Sequence, residues 1–302
     1  MPRLQLADGQ RLAYHDIGSR APNAPTLVLL HGFGMRAAFW IPLLAGLTKD
    51  TRVVLPDFRG FGNSHGTHYS QADVLSQSAD DLQLLLDALQ LKQVALAGLS
   101  MGACVSMRYF ERHGHQRVSR YLNIDQAPCV SNQPDWQWGL FGHHQGQRYE
   151  EFRALLQQVE HSGTPSDYRA LPWRLRRQAN SAFSKFFGAA FFLPGHRWGM
   201  QAGLRIPGIS QQLLPRRNWL AYMHCMRAYV EQNYDFRAGL AQLDIPLTAM
   251  IGLRSQMYPA AGQMAFAKLA PRAELLPLRI AGHAIPFERP TAFRRALRRF
   301  LA

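Results

Sequence analysis

The run Gln93-Val94-Ala95-Leu96-Ala97-Gly98-Leu99-Ser100-Met101-Gly102-Ala103 decides the fold. Its first half is continuous and apolar, as a buried strand should be, and Ala103 to Arg112 carries apolar positions at helical spacing. Strand, tight turn and helix therefore succeed one another directly. In Gly98-x-Ser100-x-Gly102 the flanking glycines leave room for a backbone that side chains would crowd, so the hydroxyl is expected to stand exposed above the sheet. Ser100 is the candidate nucleophile. A glycine-rich turn with an incidental serine would share the local pattern, so the surrounding chain has to decide.

Outward from this run the pattern is that of an α/β chain. Thr26 to Leu30 reads as a strand buried on both faces, and His31-Gly32-Phe33-Gly34 comes directly after it. Glycines at the end of a central strand let an amide turn toward a ligand, so the Phe33 N–H is one candidate oxyanion donor and the Met101 N–H the other. Arg11 to Ile17 alternates like an edge strand after the turn signal Asp8-Gly9, and Arg36 to Leu47 reads as a helix. Arg52 to Leu55 is the next strand, leading into a glycine-rich loop from Pro56 to Ser64. Asp57 and Arg59 are expected to hold that loop through charge-assisted hydrogen bonds rather than to catalyse. Ser70 to Leu89 is a helix with Ser70 as its expected N-cap. Arg120 to Asp125 is the strand after the nucleophile helix.

From there to about Tyr234 the strand-and-helix rhythm is lost, and large aromatics accumulate, among them Trp136, Phe141, Phe183, Phe186, Phe187, Phe191, Trp198 and Tyr222. Some are expected to form a core of their own and others an apolar pocket. His143-His144 has no third ligand at sensible spacing and reads as exposed imidazoles. Leu247 to Ile251 and Glu274 to Ile280 are the last two strands, and Pro290 to Leu301 is the closing helix.

Composition narrows the classes further. The 302 residues are 47% hydrophobic and 18% charged, a globular balance able to bury a large core. The amino terminus lacks the apolar stretch of a secretory signal, and no run approaches bilayer length. Cys104, Cys129 and Cys225 are odd in number without metal-type spacing, which favours a reducing, cytoplasmic setting. The net charge of +14 is carried mostly by scattered arginine. Its densest cluster, Arg294, Arg295, Arg298 and Arg299, interleaves with Phe293, Leu297, Phe300 and Leu301, so it reads as a solvated helix face rather than a nucleic-acid surface.

Four motifs now stand in order: His31-Gly32-Phe33-Gly34, Asp57-Phe58-Arg59-Gly60-Phe61-Gly62-Asn63-Ser64, Gly98-Leu99-Ser100-Met101-Gly102, and Gly282-His283 with Glu288-Arg289-Pro290 beyond it. In order and spacing they resemble the α/β-hydrolase superfamily, over roughly residues 10 to 127 and 235 to 302. The resemblance implies a mostly parallel eight-stranded sheet with helices on both faces. It also implies a helical cap inserted after the sixth strand, dividing the chain into core 1–127, cap 128–234 and core 235–302.

His283 leaves the last strand by a short glycine turn, which returns it to the sheet edge of Ser100, and it is the expected base. His31 matches the family position that supports the oxyanion turn. Members of the family most often carry their acid after the penultimate strand, where this chain has Ser255, and no Asp or Glu occurs between Asp244 and Glu274. Asp125, at the end of the sixth strand, is the expected replacement, since some members take their acid from there; the alternative is that it only anchors the loop into the cap. Asp235 reads more naturally as an N-cap.

The expected activity is that of a carboxylesterase-like serine hydrolase acting on an apolar or aromatic acyl ester, thioester or lactone, with no metal and no organic cofactor. Carbon–carbon bond hydrolysis, perhydrolysis and a weakly catalytic ligand-binding protein are the alternatives. A serine at the elbow argues against haloalkane dehalogenases and epoxide hydrolases, which use aspartate there. The expected partner is a small apolar acyl substrate, without nucleic acid or stable membrane insertion, and a homodimer is left open.

Overall fold

Apolar residues alternate along the central strands, and that alternation feeds two separate cores. In the computed structural model, which describes residues 1–165, 167–205 and 219–302, these strands form one eight-stranded sheet. They are β1 (Arg3–Gln5), β2 (Arg11–Gly18), β3 (Thr26–Leu30), β4 (Arg52–Pro56), β5 (Val94–Leu99), β6 (Val118–Ile124), β7 (Leu247–Gly252) and β8 (Ala273–Leu278). The spatial order is β1-β2-β4-β3-β5-β6-β7-β8, with β1–β2 and β2–β4 antiparallel and every later pairing parallel. Val28, Leu30, Val54, Leu96 and Tyr121 point to one core, while Leu27, Leu29, Val53, Ala95, Ala97 and Leu122 point to the other.

Helices α1 (Val74–Ala88) and α2 (Met101–His113) cover the first face. The second face is covered by the turn of helix Ala37–Leu44 and by a C-terminal helix, Pro290–Leu301. On the latter Phe293, Leu297 and Phe300 are buried, each worth about 1.5–3 kcal/mol of apolar burial, while Arg295, Arg298 and Arg299 face water. The arginine cluster is thus the outer face of an amphipathic helix.

Two local expectations are corrected. Arg36 to Leu47 does not form an α-helix: a 3₁₀ helix spans Ala37–Leu44 with Pro42 inside it, and proline has no amide for an α-helical ladder. The helix expected from Ser70 begins at Val74. Its cap is Asp73, whose carboxylate accepts the Ser76 amide at 3.0 Å and the Ser76 hydroxyl at 2.6 Å.

Between β6 and β7 lie α3 (Gln145–His161), α4 (Trp173–Ala189), α5 (Pro194–Arg205) and α6 (Trp219–Glu231). Helix α3 packs on α4 and α6, and α4 on α5. Their apolar faces, including Phe152, Phe183, Tyr222 and Met226, join the same core as α1 and α2. This insert therefore rests on the sheet domain and shares its core.

Candidate active site

Everything chemically notable leaves the carboxyl ends of the parallel strands, where open α/β sheets place their ligands. Ser100 comes after β5 with φ 52° and ψ −118°, a conformation an L-residue adopts only when its surroundings hold it there. They do so from both sides. The Ser100 amide donates to Ile124 O at 3.1 Å, and Ser100 O accepts the amides of Ala103 and Cys104 at 2.8 and 3.0 Å. The motif glycines are steric necessities: a Cβ on Gly98 would run into the Gly102 backbone, and one on Gly102 would lie 2.6 Å from Leu30 O.

Asp125 comes after β6 with φ 48° and is fully buried. Its amide donates to Met250 O at 2.8 Å. Its Oδ1 accepts the Gly252 amide at 2.7 Å and Gln263 Nε2 at 3.1 Å, while Oδ2 accepts the Ser255 hydroxyl at 2.7 Å and pairs with His283 Nδ1 at 2.8 Å. Four hydrogen-bonding partners thus converge on one carboxylate and fix its position. With Nδ1 engaged by Asp125, the imidazole of His283 directs Nε2 elsewhere. Among the described residues Nε2 has no hydrogen-bond partner, and His283 and Ser100 line the same cavity.

That cavity holds about 1050 Å³ of empty space, part of it open to solvent. Its walls are apolar: Phe33, Phe39 and Phe287 from the sheet domain, and Phe186, Phe187 and Phe191 from the inserted segment. Phe33 also packs against Phe61, Phe186, Phe187 and Tyr222, with ring centroids 5.0–5.9 Å apart. Gly34, at φ 76°, makes this approach feasible, because a Cβ there would meet the Phe187 ring at 2.5 Å. The amides of Phe33 and Met101 have no acceptor among the described residues, and both residues border Ser100, Met101 in sequence and Phe33 across the cavity wall.

The remaining motif residues have structural partners. His31 is fully buried; its Nδ1 meets Gly32 O at 2.8 Å and its Nε2 accepts the Phe58 amide at 3.1 Å. That pattern is the neutral tautomer, and burial lowers the imidazole below its usual range. Asp57 accepts the amides of Ala37 at 2.6 Å and Asn63 at 2.9 Å, and Arg59 grips Asp81 through Nε and Nη2 at 2.6 and 2.8 Å. Asp235 accepts the Arg237 amide at 3.1 Å and its guanidinium, with Phe236 rather than Asp235 as the cap of the short helix Arg237–Ala241. His143 and His144 are exposed and lie against each other.

Two features were not expected from sequence. Ser255, in the slot where the family usually has its acid, donates its hydroxyl to the Asp125 carboxylate. Glu288 is buried, accepts the amides of Phe192 and Leu193 at 2.7 Å through Oε1, and accepts the Gly282 amide at 2.6 Å through Oε2. Its only sequence signal is its place shortly after His283.

Residues 25–290 match the alpha/beta hydrolase fold family, and the chain belongs to that family of hydrolases. Among relatives, it is 27% identical over 202 residues to a Pseudomonas putida protein named 2-hydroxy-6-oxo-2,4-heptadienoate hydrolase, a match covering 65% of this chain and 69% of that one. It is 24% identical to a Nitrosomonas europaea pimeloyl-[acyl-carrier protein] methyl ester esterase, covering 88% and 90%. The fold is shared with an esterase from Exiguobacterium antarcticum at a TM-score of 0.77 and 19% identity, covering 99% and 98%. No described helix is long and apolar enough to cross a membrane.

Proposed function

We propose that this protein is a serine hydrolase that cleaves esters of apolar acyl groups through an acyl-enzyme on Ser100. The observation that carries the reading is the 2.8 Å pairing of His283 Nδ1 with buried Asp125, in an imidazole that shares its cavity with an elbow serine. A serine hydroxyl is a weak nucleophile until its proton has somewhere to go.

In the first half-reaction His283 Nε2 takes the Ser100 proton as Oγ bonds to the acyl carbon. The amides of Phe33 and Met101 hold the oxyanion, and His283 returns the proton to the departing alcohol oxygen as the ester bond breaks. In the second half, His283 removes a proton from water, the hydroxide oxygen bonds to the acyl carbon, and Ser100 leaves with the proton. Asp125 stays ionised throughout and stabilises the imidazolium. His31, kept neutral by its burial and accepting the Phe58 amide at Nε2, supports the Phe33 turn.

The test is hydrolysis of a chain-length series of p-nitrophenyl esters by wild type, Ser100→Ala and Asp125→Asn. Turnover that vanishes in the first and collapses in the second supports the mechanism; turnover surviving loss of Ser100 refutes it. The likeness to a heptadienoate hydrolase favours one further arm, a vinylogous diketone, since carbon–carbon cleavage would show there rather than on simple esters.

A further inference from the structure

Ser100 borders two cavities of unequal size. The larger, which holds His283, leaves about 330 Å³ of room for water-sized groups, while the smaller leaves about 30 Å³, little more than one water, and does not contain His283. Phe33, Phe186 and Met257 line both. Leu140, between β6 and α3, Phe152 of α3 and Met226 of α6 line the smaller one and are only 3–6% exposed. All three belong to the main core, so the smaller cavity widens only if that core repacks. In the larger cavity the lining residue Phe39 is 40% exposed, so that cavity reaches the surface. Among the described residues, no aspartate, glutamate, lysine or arginine lines either cavity.

These volumes divide an ester in a definite direction. Once Ser100 Oγ has bonded to the acyl carbon, that carbon carries the oxyanion, the departing oxygen and the acyl chain. His283 Nε2 must deliver its proton to the departing oxygen, so this oxygen and the group it bears lie on the imidazole's side, in the larger cavity. The acyl chain points away from the departing oxygen and toward the smaller cavity. A methyl group fits the space there. A longer chain would have to displace buried, packed side chains, and cores resist such overpacking. The open aromatic walls of the larger cavity suit a bulky apolar alcohol, whose burial removes apolar surface from water.

We propose that the substrates are acetyl esters of bulky apolar or aromatic alcohols, the acetyl methyl entering the smaller cavity and the alcohol the larger. The proposal rests on Ser100 as the nucleophile and narrows the acyl group to its shortest form. The alcohol departs with the proton from His283, and acetate departs with the oxygen of the attacking water.

The experiment compares two isomers, hexyl acetate and ethyl hexanoate, which contain the same atoms and place the bulk on opposite sides of the ester. Wild type should favour hexyl acetate at least tenfold in kcat/KM, after division by the rates of the two esters with hydroxide. A smaller ratio, a reversed one, or turnover of neither isomer overturns the proposal, and none of these readouts needs a variant to fold. Met226→Ala shortens a wall of the smaller cavity and should raise kcat/KM for hexyl butanoate relative to hexyl acetate at least fivefold; a folded variant with an unchanged ratio would place the acyl chain elsewhere. Ser100→Ala separates the nucleophile from the division of the substrate. Turnover of hexyl acetate that survives in this variant removes the nucleophile and the division with it, whereas turnover that requires Ser100 but shows no preference between the isomers removes the division alone.

Discussion

The Ser255 hydroxyl donates to Asp125 Oδ2 at 2.7 Å, the same oxygen that holds His283 Nδ1. The residue in the family's usual acid slot thus donates to a carboxylate that follows the neighbouring strand, the one proposed above as the acid. Asp125→Asn keeps the shape but presents an amide to Nδ1, favouring the wrong tautomer, and should lower kcat by about 10³–10⁴-fold. Ser255→Ala removes one of four donors and should cost far less, about tenfold or below. The double variant Asp125→Asn with Ser255→Asp returns a carboxylate to the same pocket and should recover part of the loss. Steady-state kinetics on one ester decide; equal losses from Asp125→Asn and Ser255→Ala would count against Asp125 as the acid.

Gly102 is tested by one methyl group. Its added Cβ would lie 2.6 Å from Leu30 O and 2.8 Å from His31 O, both backbone atoms at the root of the Phe33 turn. Gly102→Ala should therefore destabilise the fold by about 1–3 kcal/mol through overpacking and lower kcat by displacing the Phe33 amide. Thermal melting and kinetics check the two effects separately. An active variant of unchanged stability would mean that the β3 turn yields freely.

Much of the fold and site is legible in the sequence because it is local. The elbow at Ser100, the glycine turn to His283, the apolar strands and the placement of Asp125 at a strand end are each written in a few consecutive residues. The empty acid slot is also readable, since the stretch from Asp244 to Glu274 contains no other carboxylate between its ends, while Asp125 as the replacement is what the family resemblance implies. Less local features are not. Ser70 resembles a cap, but Asp73 also receives the Tyr234 hydroxyl at 2.9 Å, a contact across 161 positions that no short window contains. Glu288 likewise acquires meaning only once distant segments meet.

Asp73 also gives a pH-dependent prediction. Burial opposes its charge, but hydrogen bonds from Ser76 and Tyr234 outweigh that and hold the carboxyl below the usual aspartate range. Because the folded value is depressed, its stabilising effect is complete above the unfolded value and fades as pH falls through the folded one. Asp73→Ala should cost about 1 kcal/mol at neutral pH, and the gap in Tm between variant and wild type should narrow below about pH 4. A gap that widens in acid would contradict the assignment.

The three cysteines are free and buried, and burial raises Cys104 to about 12 and Cys129 to about 11. At about pH 8 these thiols are protonated and shielded, so an aromatic disulfide reagent should label native protein slowly and all three thiols after denaturation. Fast labelling of the native state would reveal an opening of the core around α2 and α6.

Glu288 joins the inserted segment to the loop that carries His283. Its two oxygens accept amides from Phe192, Leu193 and Gly282, and the Ala284 amide donates to Ala190 O at 2.8 Å, so His283 sits between two backbone ties to the segment after α4. Charge-assisted hydrogen bonds to a buried carboxylate are each worth roughly 1.5–3 kcal/mol. Glu288→Gln has one acceptor oxygen and an NH₂ that must face a donor, so either Gly282 or the Phe192–Leu193 pair loses its partner. The variant should melt several degrees lower and lose at least tenfold in kcat, because the His283 loop is no longer held on both sides. Hydrogen exchange locates the effect: amides at residues 190–193 and 281–284 should exchange faster, while those of β5 and α2 should not change. If protection drops in all four segments alike, Glu288 supports the whole fold rather than this junction.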